Sequence, residues 1–250
     1  IFPLMKKRYL FRGVEDFFFY DEWSNGSVNE HVFAYSNRYG DERAIVFYNN
    51  VYNQANGWIQ TSCKYAVKDA EGNIHQETKN LCDALGLSSE PNTYLIFREH
   101  RTEKWYIRRI SEIREKGMFL SLNGFEYQVL MDMSEVKDDA TGKYGILCDT
   151  LNGAGVPDIE QALNEIFLKD LYKALSDFAT RDFFVDMVKI CNDGKNITKT
   201  IGKYKEKGLA YFETLVDFVN GNYGADTVLG KDSKINKTPA ETAWKALAKN

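Results

Sequence analysis

The 250 residues carry 32 Lys and Arg against 36 Asp and Glu, a formal net charge of -4, with 44% hydrophobic and 14% aromatic residues. That length suffices to bury the core of one large domain or two smaller ones, and the near-neutral balance lacks the concentrated positive field that nucleic acid and anionic membrane require. No apolar run reaches the ~20 residues of a membrane span, and the start Ile1-Phe2-Pro3-Leu4 lacks both the order of a signal peptide and an initial Met, which points to a fragment.

Along the chain, Ile1–Phe11 reads as an amphipathic remnant that packs against missing structure, with Phe2, Leu4, Met5, Leu10 and Phe11 expected to be exposed or misdocked in isolation. From about residue 30 to 135 the texture is that of strands. Val32–Ser36 and Arg43–Tyr48 flank the turn formers Asn37 to Asp41, a hairpin signature. A second hairpin runs from Cys63, Tyr65 and Val67 through Asp69–Asn73 to Ile74–Thr78, and a third pairs Tyr94–Phe97 with Trp105–Ile107. Ser111 to Lys116 predicts a short helix closed by Gly117, followed by Met118–Leu120, the turn pair Asn123-Gly124 and the run Tyr127–Met133. Hairpins in series predict an antiparallel β-sandwich or meander.

After Asp138–Gly142 the hydrophobic period lengthens. Ile159, Leu163, Ile166, Phe167, Leu171, Ala174, Leu175 and Phe178 recur at steps of three and four, placing them on one helical face. Asp158 with Gln161 resembles a capping box. Further helices are expected at Phe183–Cys191 and Tyr211–Val219, and a last one from the cap Thr238 through Leu247.

The residues that carry chemistry elsewhere form no complete constellation here. Cys63, Cys82, Cys148 and Cys191 lack the short spacing of zinc or redox motifs and read as small apolar residues of a reducing, cytoplasmic compartment. His31, His75 and His100 lie far apart, so no metal or cofactor is called for. Asn152-Gly153-Ala154-Gly155 lacks the Lys of a phosphate loop and reads as a flexible interdomain turn. Asp132, Asp138 and Asp139 lack the calcium-loop pattern, and the lysine-rich run 195–207 with Tyr204 reads as solvated surface rather than a nucleic-acid face. Trp23, Trp58 and Trp105 are the candidate carbohydrate contacts, because a flat aromatic face suits the apolar face of a sugar ring.

Four stretches, Phe2–Phe11, Val14–Asp21, Val28–Arg38 and Gly40–Asn50, together resemble the join between catalytic barrel and C-terminal β-domain in the α-amylase superfamily of glycoside hydrolases, in particular its large bacterial members. Tyr94–His100, Glu115-Lys116-Gly117, Tyr127–Asp132 and Asn152–Pro157 extend the pattern, which covers roughly residues 1–175. The resemblance implies an α+β chain: residues 1–27 a remnant of the last barrel helix and linker, 28–136 a sandwich domain, and 137–250 a mainly helical region. It also implies a parent enzyme whose Asp nucleophile and Glu acid lie on upstream barrel strands, so no position here takes a catalytic role. The expected partners are that barrel, in the same polypeptide, and α-glucan; neither nucleic acid nor membrane is expected. The alternative is an independent interaction module whose helical part binds a protein.

Overall fold

The computed structural model describes residues 2–193 and 197–223. The chain is α+β and divides into two compact units, Ile1–Leu163 and Asn164–Asn250.

The first unit is built on one antiparallel eight-stranded sheet. Its strands are β1 (Phe18–Ser24), β2 (Ser27–Tyr39), β3 (Glu42–Asn49), β4 (Ala55–Ile59), β7 (Thr93–Glu99), β8 (Trp105–Arg109), β9 (Met118–Leu122) and β10 (Tyr127–Lys137), in the order β8-β7-β10-β3-β2-β1-β4-β9. A separate ribbon pairs β5 (Tyr65–Lys68) with β6 (Ile74–Glu77). Eight strands therefore share one hydrogen-bonded sheet, which curls. The two edge strands β8 and β9 are consecutive in sequence, joined only by the seven-residue helix α3 (Ile110–Lys116). A connection that short brings the two edges round towards each other and leaves a seam between them.

Local chemistry sets the register. The β2–β3 hairpin turns at Gly40-Asp41 with Gly40 at φ 60°, a conformation glycine adopts without a Cβ penalty, and pairs Tyr39 with Glu42. Alternation then sends Val32, Ala34, Ile45, Phe47, Leu95 and Phe97 to the concave face. There they meet Leu81 and Ala84 of α2 (Leu81–Ala84) and Ile110 and Ile113 of α3, one continuous core. Asn80 caps α2 by accepting the Cys82 N–H at 2.9 Å.

The convex face over β2, β3 and β10 is covered by the N-terminal segment, helix α1 (Phe2–Lys6) and the 3-10 turn Arg8–Phe11. Leu4 and Phe11 pack on Val46, Val129 and Met131. Leu10 is 1% exposed, while Lys7 Nζ and the Tyr9 hydroxyl donate to Glu42 at 2.8 and 2.7 Å. This corrects the expectation of exposure: Leu10 belongs to the core of this unit, Leu4 and Phe11 are half-buried, and among the described side chains of that set only Met5 is exposed. The side chain of Phe2 lies outside the described residues.

Helices α4 (Lys143–Leu151) and α5 (Ile159–Phe167) follow, α4 burying Leu147 and Cys148. In the second unit α6 (Lys169–Phe178), α7 (Arg181–Asp193) and α8 (Ile197–Tyr223) surround Phe178 and Tyr204, packed by Phe183, Met187 and Leu209. Periodicity over 159–178 predicts one face; the chain divides it between α5 and α6. The helix expected from Thr238 to Leu247 lies outside the described residues.

Candidate functional site

On the convex face of β9-β4-β1-β2 one rung of the sheet carries four apolar side chains in register. Phe119 is paired with Trp58, Trp58 with Trp23, and Trp23 with Val28. Directly opposed residues on adjacent strands stand about 5 Å apart, so the row is contiguous, and its aromatics are open to solvent: Phe119 52%, Trp58 43% and Trp23 52% exposed. Trp58 and Phe119 meet at 5.3 Å between ring centroids, tilted by 60°. Beside them Ser121 Oγ donates to Asn56 Oδ1 at 2.6 Å, and Ser24 Oγ to the Asn56 carbonyl at 2.9 Å. Three aromatic faces in line, flanked by amide and hydroxyl groups, are suited to flat apolar ligands edged with hydroxyls.

Under this row, on the concave side, lies Glu22. It is 0% exposed, and neither carboxylate oxygen has a hydrogen-bond partner. Burial pushes its carboxyl above the ordinary carboxylate range. Its Oε1 occupies the space in which a Cβ at Gly57 would sit. The register of β1 on β2 shifts between Tyr20 and Glu22, an irregularity that twists the strand.

The row runs into a groove of about 600 Å³ along the seam between β8 and β9. Phe47, Phe97 and Leu130 line it from the concave face and Tyr106 and Arg108 from β8, while Trp58, Phe119 and Ser121 border it where it meets the row. Tyr106 stacks on Phe97 at 5.5 Å and 11°. Arg108 lies over Tyr106 at 5.8 Å and donates to the Ile107 and Gly153 carbonyls, each at 2.9 Å. Burial lowers the Arg108 pKa from its usual value, and among the described residues no carboxylate forms an ion pair with it. Burial also works to raise the Glu99 carboxyl, but hydrogen bonds from Thr102 and the Arg101 backbone outweigh that and hold it below the usual range.

Of the three tryptophans expected to face carbohydrate, the structure brings Trp23 and Trp58 together as direct partners. Trp105 stands apart on β8, half-buried, its backbone exchanging hydrogen bonds with Val156 at 2.8 and 2.9 Å. No protein family matches this sequence, and no curated protein matches it. Among solved structures, the crystal structure of AmyP in complex with maltose aligns at 15% identity with a TM-score of 0.23, covering 44% of this chain and 16% of that one. This chain thus spans well under two thirds of that protein's length.

The remaining candidates take structural places. The Asn152–Gly155 stretch lies inside the first unit, where Gly153 accepts from Arg108 and Gly155 lies so close to the Tyr106 ring that a Cβ would meet it at 2.5 Å. Asp138 accepts the Tyr144 and Gly145 N–H groups at 2.7 and 2.9 Å and so caps α4, Asp139 bonds Thr141, and Asp132 lies 3.6 Å from Lys7. Among the described residues no group of three or more His, Cys, Asp or Glu is placed to hold a metal. Tyr204, from the lysine-rich run, is buried and donates to Asp186 at 2.7 Å. No helix among the described residues is long and apolar enough to cross a membrane. Phe119 and the seam groove were not foreseen; the one available signal was Phe119 itself, alternating with Met118 and Leu120 at a strand position.

Proposed function

We propose that this chain is a non-catalytic C-terminal β-domain of an α-amylase-like glycoside hydrolase, which packs on the catalytic barrel and contacts α-glucan through Trp23, Trp58 and Phe119. The observation that carries the reading is the registered aromatic row, exposed where soluble surfaces seldom align three large rings. The sequence resemblance over 28–50 supplies the family, and it assigns nucleophile and acid to strands preceding this part. The N-terminal segment reaches the sheet over β2, β3 and β10, a different stretch of the convex face, so a barrel attached through it leaves the row free. Sugar binding by such a face needs no catalytic group: the ring face stacks and the hydroxyls bond to Asn56 and its neighbours.

Native electrophoresis through gels containing glycogen or amylopectin tests the reading. Retardation of the wild-type chain, abolished by Trp23→Ala with Trp58→Ala, is the expected result. Unretarded migration of the wild type would refute it.

The second reading, an independent protein-binding module, draws on α7, whose Phe184, Val185 and Val188 are exposed beside the buried-side Phe183 and Met187. Substituting Val188→Lys and measuring sedimentation separates self-association through this stripe from a monomer.

A further inference from the structure

We infer that the half-open seam between β8 and β9 is a second subsite for a single linear chain of neutral hexoses, continuous with the exposed row at Trp58 and Phe119; the inference rests on the glucan reading above. Its about 600 Å³ lies within the few hundred to a thousand Å³ of small-ligand sites. Its walls combine the Tyr106 ring stacked on Phe97 with the planar polar groups of Arg108, Gln128 and Asn152, and Trp58 and Phe119 border it where it meets the row. That pairing suits a pyranose, whose two faces are apolar and whose rim is a ring of hydroxyls.

The charges in the groove select a neutral ligand. Arg109 is closed on Asp149 by two hydrogen bonds of 2.6 and 2.7 Å, and Glu112 is paired with Lys116 at 3.1 Å. Glu99 spends its carboxylate on the N–H groups of Arg101 and Thr102 at 2.9 and 2.7 Å. Arg108 alone keeps a guanidinium without a carboxylate among the described residues, and with Glu99 in the same groove the site carries no net field to attract a phosphate or an acidic peptide. Arg108 has five N–H donors and gives two to the Ile107 and Gly153 carbonyls, leaving donors for sugar hydroxyls. An extended peptide adding to the sheet is disfavoured at β8, where Val156 already exchanges both hydrogen bonds with Trp105.

Isothermal titration of the 1–250 chain with maltoheptaose tests the inference, using Gln128→Trp from β10 and Glu112→Trp from α3 to fill the groove. Melting curves establish that each variant folds. The expected result is at least a tenfold weaker maltoheptaose affinity in both folded variants, with retardation in glycogen gels still dependent on Trp23, which lies outside the groove. Wild-type maltoheptaose affinity in both folded variants, with retardation intact, overturns the groove and leaves the row standing. A wild-type chain that is not retarded by glycogen refutes the row. Tighter binding of an oligogalacturonate or of an extended Val/Thr heptapeptide than of maltoheptaose overturns the neutral-hexose assignment.

Discussion

The Glu22 carboxylate lies where the side chain of any residue other than glycine at position 57 would begin. Gly57 stands mid-strand in β4, where glycine is ordinarily unfavourable, so its cost there is accepted to seat the acid. Gly57→Ala is predicted to destabilise the fold strongly, and Glu22→Ala to relieve part of that loss. Only part, because a Cβ also comes within 2.5 Å of the Trp23 carbonyl oxygen. A double-mutant cycle of chemical denaturation measures the coupling; additive losses would mean that the two residues do not share the space.

Glu22 also predicts a pH dependence. Its carboxyl is raised in the folded state by burial, so from the unfolded value of about 4.5 upward the folded chain holds a proton that the unfolded chain releases. Stability contributed by the neutral acid is therefore present below that pH and is lost as pH rises towards the folded value. Glu22→Gln removes the ionisation, and its advantage over wild type is predicted to grow from pH 4.5 upward and then level off. A constant difference across the range in urea titrations contradicts this.

The N-terminal segment is predicted to be part of the first unit's stability. Leu10→Ala empties a fully buried site and should cost about 2–5 kcal/mol. Deleting residues 1–12 should lower the melting temperature clearly, since it also removes the Lys7 and Tyr9 bonds to Glu42. An unchanged melting temperature would show that the segment only rests on the sheet.

The cysteines should differ sharply in reactivity. Burial pushes the Cys82 thiol up to about 12 and that of Cys63 up to about 11, the latter helped by Asp21, whereas Cys191 is exposed on α7. At pH 8 an aromatic disulfide reagent is predicted to label Cys191 rapidly and Cys82 only on unfolding. Rapid labelling of Cys82 in the native chain would contradict its place in the core.

What the sequence disclosed follows the range of the interactions concerned. The β2–β3 and β7–β8 hairpins, the helix ending at Gly117 and the Asp158 cap, where Asp158 accepts the Gln161 N–H at 2.9 Å, are local and legible. Strand β4 was hidden because Asn56-Gly57 has the composition of a turn; the glycine answers instead to Glu22, 35 positions earlier. Strand β1 was legible only up to Tyr20-Asp21, through the resemblance, because its continuation buries the acid Glu22, and α4 was hidden by Gly145 and a weak apolar stripe. The partnership of Trp23 with Trp58, and the seam left between β8 and β9, depend on non-local strand order that no local pattern encodes.

The most direct test of the central claim is retardation of the chain in native gels containing glycogen, compared between wild type and Trp23→Ala/Trp58→Ala. The account predicts marked retardation that the double variant loses while its melting curve is unchanged. Equal mobility of the two proteins in glycogen would contradict the assignment of the aromatic row to glucan.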